Sequence, residues 1–274
     1  MVDLNALADN LVQIEPGFWR ARSLSKISYP EDGNTFCYQV EETSFWFRHR
    51  NRIILRVLQA FPPPGPLFDI GGGNGFVAMA LNRAGFETVL VEPGEGVQNA
   101  RRRGLPLVVH STLQDAGFRP GALPAVGLFD VLEHIEDDIG FLQTLARLMP
   151  PGGRLYLTVP AFSWLWSVVD KDSGHYRRYS RSALTRRLQK AEFSIEYFSG
   201  FFLYIILPIF LLRTLPSRLD LRKSKPIQLL HDELTLPIQW MNIWIDRLLA
   251  TELIWLSKRS MRWGASWIAV ARRM

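Results

Sequence analysis

Residues 67–75, LFDIGGGNG, constrain this chain more tightly than any other stretch. Leu67 to Ile70 reads as a short buried strand, and Gly71, Gly72, Gly73 and Gly75 strip the following turn of side chains just ahead of the apolar helix FVAMAL. A turn this bare lets a polar ligand lie against backbone N–H groups at a helix start. A dinucleotide fingerprint asks for glycine at the first, third and sixth positions after the strand. Here the sixth is Phe76, and an acid, Asp69, stands two residues before the first glycine.

A second apolar strand, within ETVLVEPG at 87–94, ends in Glu92. That is about 20 residues past the glycine turn, the spacing at which a strand–helix–strand unit presents a carboxylate to ribose hydroxyls. Two hydroxyls offer two donors, and one carboxylate accepts both. Asp69, the bare turn and the Glu92-Pro93 pair together resemble motif I and its acidic partner in class I S-adenosylmethionine (SAM) methyltransferases. The resemblance implies SAM as cofactor, with Gly71, Gly72, Gly73 and Asn74 cradling it.

Further along, LPLVV, AVGLFD and RLYLTVP read as strands separated by helical stretches, which predicts a doubly wound α/β sheet. FSIEYFSG is the expected sixth strand and GASWIAVARRM an antiparallel seventh, giving a Rossmann-like seven-stranded sheet, parallel but for its last strand. Ligands in such sheets gather at the strands' carboxyl ends, where Asp69, Glu92, Thr112, Asp130 and Pro160 all fall. The helix expected over about Ser44 to Phe61 precedes the first strand and carries Arg50. Residues 1–43 are expected as an N-terminal cover, a short amphipathic segment up to about Ile14 followed by an irregular stretch with turn signals at Pro16-Gly17, Pro30 and Asp32-Gly33. Residues 44–199 with 263–274 are expected as the SAM-binding core, and 200–262 as a helical cap insertion.

FDVLEHI, in which a helix closed by Pro-Gly-Gly is expected to start directly after Asp130, resembles the ubiquinone-biosynthesis type of O-methyltransferase over roughly residues 44–198 and the last strand. The resemblance implies Thr112 and Leu113 beside the adenine and Phe129 or Asp130 beside the adenine or sulfonium. It also places His134 toward the substrate and Arg50 on the cofactor carboxylate. Arg50 reads equally well as a solvated arginine on a basic helix face. His175, Tyr179 and Ser180 match a His-x-x-x-Tyr-Ser segment lining the acceptor pocket, so His175, His134 and Tyr179 are the catalytic candidates. An imidazole can take a hydroxyl proton; the alternative for His175 is a histidine that pins its loop. Asp130, Glu133, His134 and His175 also resemble a metal-holding pattern of small-RNA 2'-O-methyltransferases, but Asp130 is shorter than the glutamate there, and no metal is assigned.

The cap insertion sets this chain apart. FFLYIILPIFLL is apolar but interrupted by Pro208, and too short for the roughly 20 residues of a membrane helix. LPIQWMNIWIDRLLATELIWL sets Gln239, Asn242 and Asp246 against a broad apolar face with Trp240 and Trp244, and the basic RLDLRKSKP lies between the two runs. Either the cap simply buries its own aromatics, or it forms an apolar acceptor pocket or docks on lipid as a peripheral membrane element, with basic residues at the headgroup level. The formal charge of +6 suits an anionic partner, whereas aromatic and leucine cover argues against a nucleic-acid groove. One cysteine, Cys37, excludes an internal disulfide, and the acidic N-terminus lacks an export signal, so a cytoplasmic, peripherally membrane-bound protein is expected. The functional expectation is methyl transfer to an apolar or lipid-linked small molecule at oxygen, the alternative being a non-catalytic SAM-fold module for regulation or membrane docking. No sequence pattern sets an oligomeric state.

Overall fold

The computed structural model describes residues 2–25, 37–221, 239–256 and 259–274, with backbone only for 239–244. Pro30, Asp32-Gly33, most of the basic linker, and the side chains of Gln239, Trp240, Asn242 and Trp244 lie outside the described residues.

The strands β3 (Leu67–Ile70), β4 (Thr88–Glu92) and β6 (Ala125–Phe129) are buried along their whole length. Such continuous burial belongs to a sheet covered on both faces. With β5 (Val108–His110), β7 (Arg154–Pro160), β8 (Phe193–Phe201) and β9 (Ser266–Arg273) they lie in the order β5-β4-β3-β6-β7-β9-β8. Pairing is parallel as far as β7, while β9 runs antiparallel to both its neighbours.

Among the described residues the sheet has nine strands, not the expected seven. β1 (Leu11–Glu15) and β2 (Phe18–Ala21) form a hairpin around Pro16-Gly17, and β2 joins β5 in parallel. The sequence reads as a short amphipathic segment up to about Ile14 and as irregular chain beyond it, because LVQIE and FWRA are too short to show a strand period. Their pairing is paid for by burial of Leu11, Phe18 and Trp19.

Besides the two short helices α1 (Leu4–Leu7) and α6 (Val168–Asp172), longer ones fill both faces. On one, α2 (Phe45–Ala60) and α3 (Phe76–Arg83) bury Ile53, Ile54, Val57 and Val77 against Leu67 and Tyr156. On the other, α5 (Asp138–Leu148) and α7 (Arg181–Lys190) bury Leu142, Leu145, Leu184 and Leu188 against Phe68 and Leu157. Ser44 and Ser180 cap α2 and α7 by accepting N–H bonds from Trp46 and Ala183. α4 (Gly96–Arg102) covers β4 and β5 through Val97 and Ala100.

The insertion leaves and re-enters the core through a close backbone crossing. A Cβ on Gly200 would lie 2.3 Å from the Trp263 carbonyl oxygen, and one on Gly264 2.3 Å from that of Phe201. Within it, Ile206–Ile209, the π-wound turn Phe210–Thr214 and Leu215–Arg218 run on without a break as α8. Pro208 therefore does not interrupt the helix: it sits in the first turn, where a missing N–H leaves no bond unmade. α9 (Gln239–Leu256) packs on α2.

A candidate SAM site and acceptor cavity at the strand ends

At the carboxyl ends of β3, β4 and β6 lies a cleft of about 810 Å³. Asp69, Gly71, Gly72, Gly73, Asn74, Glu92, Pro93, Thr112, Leu113, Phe129, Asp130 and Arg50, though distant in sequence, all line it.

Glu92 closes the β4 end over the glycine turn. Its Oε2 accepts the Gly73 N–H at 2.9 Å and its Oε1 the Gly94 N–H at 2.7 Å. Each oxygen keeps a further lone pair for a ligand hydroxyl. Burial raises its pKa above the ordinary range against the pull of those two N–H groups. Gly72 is required sterically, because a Cβ there would meet Asp69 Oδ2 at 2.4 Å and Leu90 Cδ1 at 2.5 Å.

Asp69 is fully buried, and neither carboxylate oxygen has a well-formed hydrogen bond among the described residues. Burial, opposed by Arg50 and reinforced by Glu92, raises its pKa to about 7. An orphaned carboxylate at the floor of a cleft is a strong anchor for a cationic, multi-donor ligand. SAM carries ribose hydroxyls, an ammonium and a sulfonium, so Asp69, Glu92 and the open turn fit it. The cost of Asp69 is measurable in the free protein. Between the ordinary value of 3.8 and about 7, the folded state holds a proton that the unfolded chain releases, so stability falls with rising pH through that window. Asp69→Asn is expected to raise the unfolding free energy of the free protein by up to about 4 kcal/mol at about pH 8 and by far less at about pH 5, read by thermal melts at both.

Asp130 sits just past β6 with φ of 59°, and its amide donates to the Thr158 carbonyl at 3.0 Å. Its Oδ1 accepts the Thr158 hydroxyl at 2.9 Å and its Oδ2 the Arg50 guanidinium at 2.5 Å. Arg50 is thus held inside the cleft and is not on a solvated helix face. The chain after Asp130 departs from the sequence reading: Leu132–His134 is a single 3-10 turn, and α5 starts only at Asp138, capped by Asp137.

Some expected residues are occupied elsewhere. Asn74 Oδ1 accepts from Asn99 Nδ2, and Asn74 Nδ2 donates to Glu41. Phe129 folds its ring onto Gly127 in the core. Thr112 accepts the Asp115 N–H through its hydroxyl. Tyr179 lines neither the cleft nor the cavity beside it: it is buried, its hydroxyl donates to Asp138 at 2.9 Å, and burial with that neighbour raises its pKa. Its catalytic assignment is therefore corrected to a structural one. Glu41, unforeseen from sequence, lines the cleft and bonds Asn74 and Arg103.

A second cavity of about 190 Å³ opens beside the cleft, sharing Asp130, His134, Ser173 and His175 with it. Trp46, Pro160, Val169 and Ile209 give it apolar walls, and Arg178 and Arg213 reach it. His175 Nδ1 meets Asp170 Oδ1 at 3.1 Å, and the same carboxylate accepts Arg178 Nε at 2.7 Å and the Ser167 N–H at 2.9 Å. Asp170 is buried, yet those partners hold its pKa down at about 2. An ionised Asp170 fixes Nδ1 as the protonated nitrogen and leaves Nε2 for the cavity. Asp170 escaped the sequence reading because VVDKDSGH shows no pattern that marks one aspartate over the other. His134 packs edge-on to His175, and burial followed by that neighbour lowers its pKa to about 4. Donor atoms of Glu133, His134 and His175 lie within 4.8 Å of one another, close enough to hold a divalent ion.

Residues 43–197 match the family described as Methyltransferase domain. This chain belongs to that methyltransferase domain family. The ubiquinone biosynthesis O-methyltransferase of Xanthomonas campestris pv. campestris (strain B100) is 28% identical over 158 residues, covering 50% of this chain. The match spans 66% of that relative, just under two thirds of its length. Two solved structures share the fold. One is a chain of the complex between the Haloferax volcanii Trm112 methyltransferase activator and a methyltransferase (TM-score 0.55, 16% identity, 88% of this chain and 95% of that one). The other is the [4+2]-cyclase SpnF (TM-score 0.57, 15% identity, 92% and 99%). SAM is the cofactor of this chain's methyltransferase domain, and the residues that line the cleft fit it.

Proposed function

We propose that this chain transfers the methyl group of SAM to a small apolar or lipid-linked acceptor, at oxygen. The observation that carries this reading is the oriented His175–Asp170 pair at the junction of the cleft and the apolar second cavity. SAM supplies a methyl group already activated by the sulfonium, so the protein has to align, exclude water and remove one proton. His175 Nε2 would take the acceptor's hydroxyl proton as the acceptor oxygen gains the methyl group and the sulfur–methyl bond breaks, with S-adenosylhomocysteine as the leaving group, and Asp170 would stabilise the imidazolium. Trp46, Val169 and Ile209 exclude water around the acceptor. Glu92 and Asp69 hold the nucleoside and cationic portions of SAM, and Arg50 its carboxylate.

In this reading, residues 44–199 and 263–274 are the catalytic core, 1–43 cover it and extend its sheet, and 200–262 cap it. The cap also supports lipid contact. α8 turns Ile209 and Arg213 to the acceptor cavity and exposes Leu207, Leu211, Leu212 and Leu215 on other sides, with Trp164 and Trp263 nearby in the aromatic cluster around Phe162. Leucine and tryptophan beside arginine suit a bilayer interface, and no described helix is long and apolar enough to cross one. We infer a cytoplasmic protein that docks peripherally and binds no nucleic acid. Incubation with methyl-labelled SAM and either a membrane lipid extract or the water-soluble metabolite pool tests the acceptor class. Label in the lipid fraction is expected; label confined to the water-soluble pool contradicts it.

A further inference from the structure

α2 carries Trp46, His49 and Arg50 on one face, at the spacing of adjacent helical turns. Trp46 lines the acceptor cavity, and Arg50 reaches into the cofactor cleft to Asp130. Between them His49 is fully buried, with its Nε2 2.9 Å from Glu252 Oε2. Glu252 comes from α9 of the insertion, outside the residues that match the family, and is itself buried.

The same carboxylate gathers the end of β8. It accepts the Phe202 N–H at 2.8 Å and the Leu203 N–H at 2.6 Å, donors the strand has left behind. Phe202 is held at φ of 63°, a conformation bulky residues avoid, and in it the ring stacks on Trp46 with centroids 4.1 Å apart. Two segments thus converge on one buried acid of α9: the helix carrying Arg50, through His49, and the end of β8, whose Phe202 backs the cavity wall. A second tie between the same helices, Asp246 with Arg48 at 2.6 Å, is partly exposed and touches neither cavity.

We propose that Glu252 is a positioning residue for methyl transfer, setting α2 so that Arg50 meets the cofactor cleft and Trp46 the acceptor cavity. The cap is then part of the catalytic geometry and not only a cover. Glu252→Gln keeps the shape but turns an N–H donor toward one of three donors, so His49 or the β8 end must shift. The proposal rests on the cleft being the SAM site, and the test separates the two.

S-adenosylhomocysteine is titrated calorimetrically into the full-length protein, Glu252→Gln, Asp246→Asn, Arg50→Ala and the Glu252→Gln/Arg50→Ala double variant, with affinity expressed per folded molecule. Failure of the parent protein to bind overturns the SAM reading itself. With the parent binding, Glu252→Gln is expected to weaken affinity about 10-fold and Asp246→Asn by less than about twofold, and with Arg50 already removed the glutamine adds under about twofold. The proposal is overturned if Glu252→Gln lowers only the melting temperature, if its effect adds fully to that of Arg50→Ala, or if Asp246→Asn weakens binding as much. Should Glu252→Gln not fold, His49→Gln takes its place in the same cycle with the same criteria.

Discussion

Glu92→Ala is expected to weaken SAM binding about 100- to 10,000-fold, the loss of two hydrogen bonds to a buried carboxylate at about 1.5–3 kcal/mol each. Position and exposure both support the size of this effect. Glu92 is buried at the end of β4, so a ligand hydroxyl bonding to it meets no competing water. The alanine also frees the N–H groups of Gly73 and Gly94, which the two carboxylate oxygens now hold. The glycine turn therefore loses its anchor along with the ligand's. Glu92→Gln separates the contributions: the amide keeps one acceptor but points a donor at one of those N–H groups, so an intermediate affinity is expected. Because burial holds the Glu92 carboxyl above its ordinary range, affinity declines on acidification as that group takes up its proton. Calorimetry with S-adenosylhomocysteine reads all three.

The second large effect concerns turnover. His175→Ala is expected to lower kcat about 100- to 10,000-fold, the usual contribution of a positioned general base, while SAM affinity changes by less than about threefold. Asp170→Asn probes the same step from behind. The asparagine can offer its amide to Nδ1 and turn the ring to the wrong tautomer, so a kcat loss of about the same order is expected. It also leaves the buried Arg178 guanidinium facing a neutral group, so Asp170→Asn lowers stability as well, whereas His175→Ala leaves it nearly unchanged. A His175→Ala variant with parental kcat removes the imidazole from the chemistry.

What the sequence showed and what it concealed follow from the range of the interactions. Asp69, the bare turn and Glu92 were legible because a strand–helix–strand unit is local and its loop must meet a ligand with backbone. The continuous apolar runs of β3, β4 and β6 announced a sheet covered on both faces. The hairpin of β1 and β2 was hidden because short strands acquire meaning only from the neighbour they join, here β5. Glu41, Asp170 and Glu252 were hidden for the same reason. Each is an ordinary acid in its own segment, and its role is set by Asn74, His175 or His49, from 5 to 203 residues away. Tyr179 shows the converse: the motif marked it, but the fold turned it onto Asp138.

The most direct measurement is a crystal structure of the full-length protein with S-adenosylhomocysteine. The nucleoside is predicted in the cleft with its ribose hydroxyls on Glu92, its amino-acid end between Asp69 and Arg50, and its sulfur facing the cavity that holds His175. A nucleoside bound elsewhere, or a ribose that makes no contact with Glu92, contradicts the account.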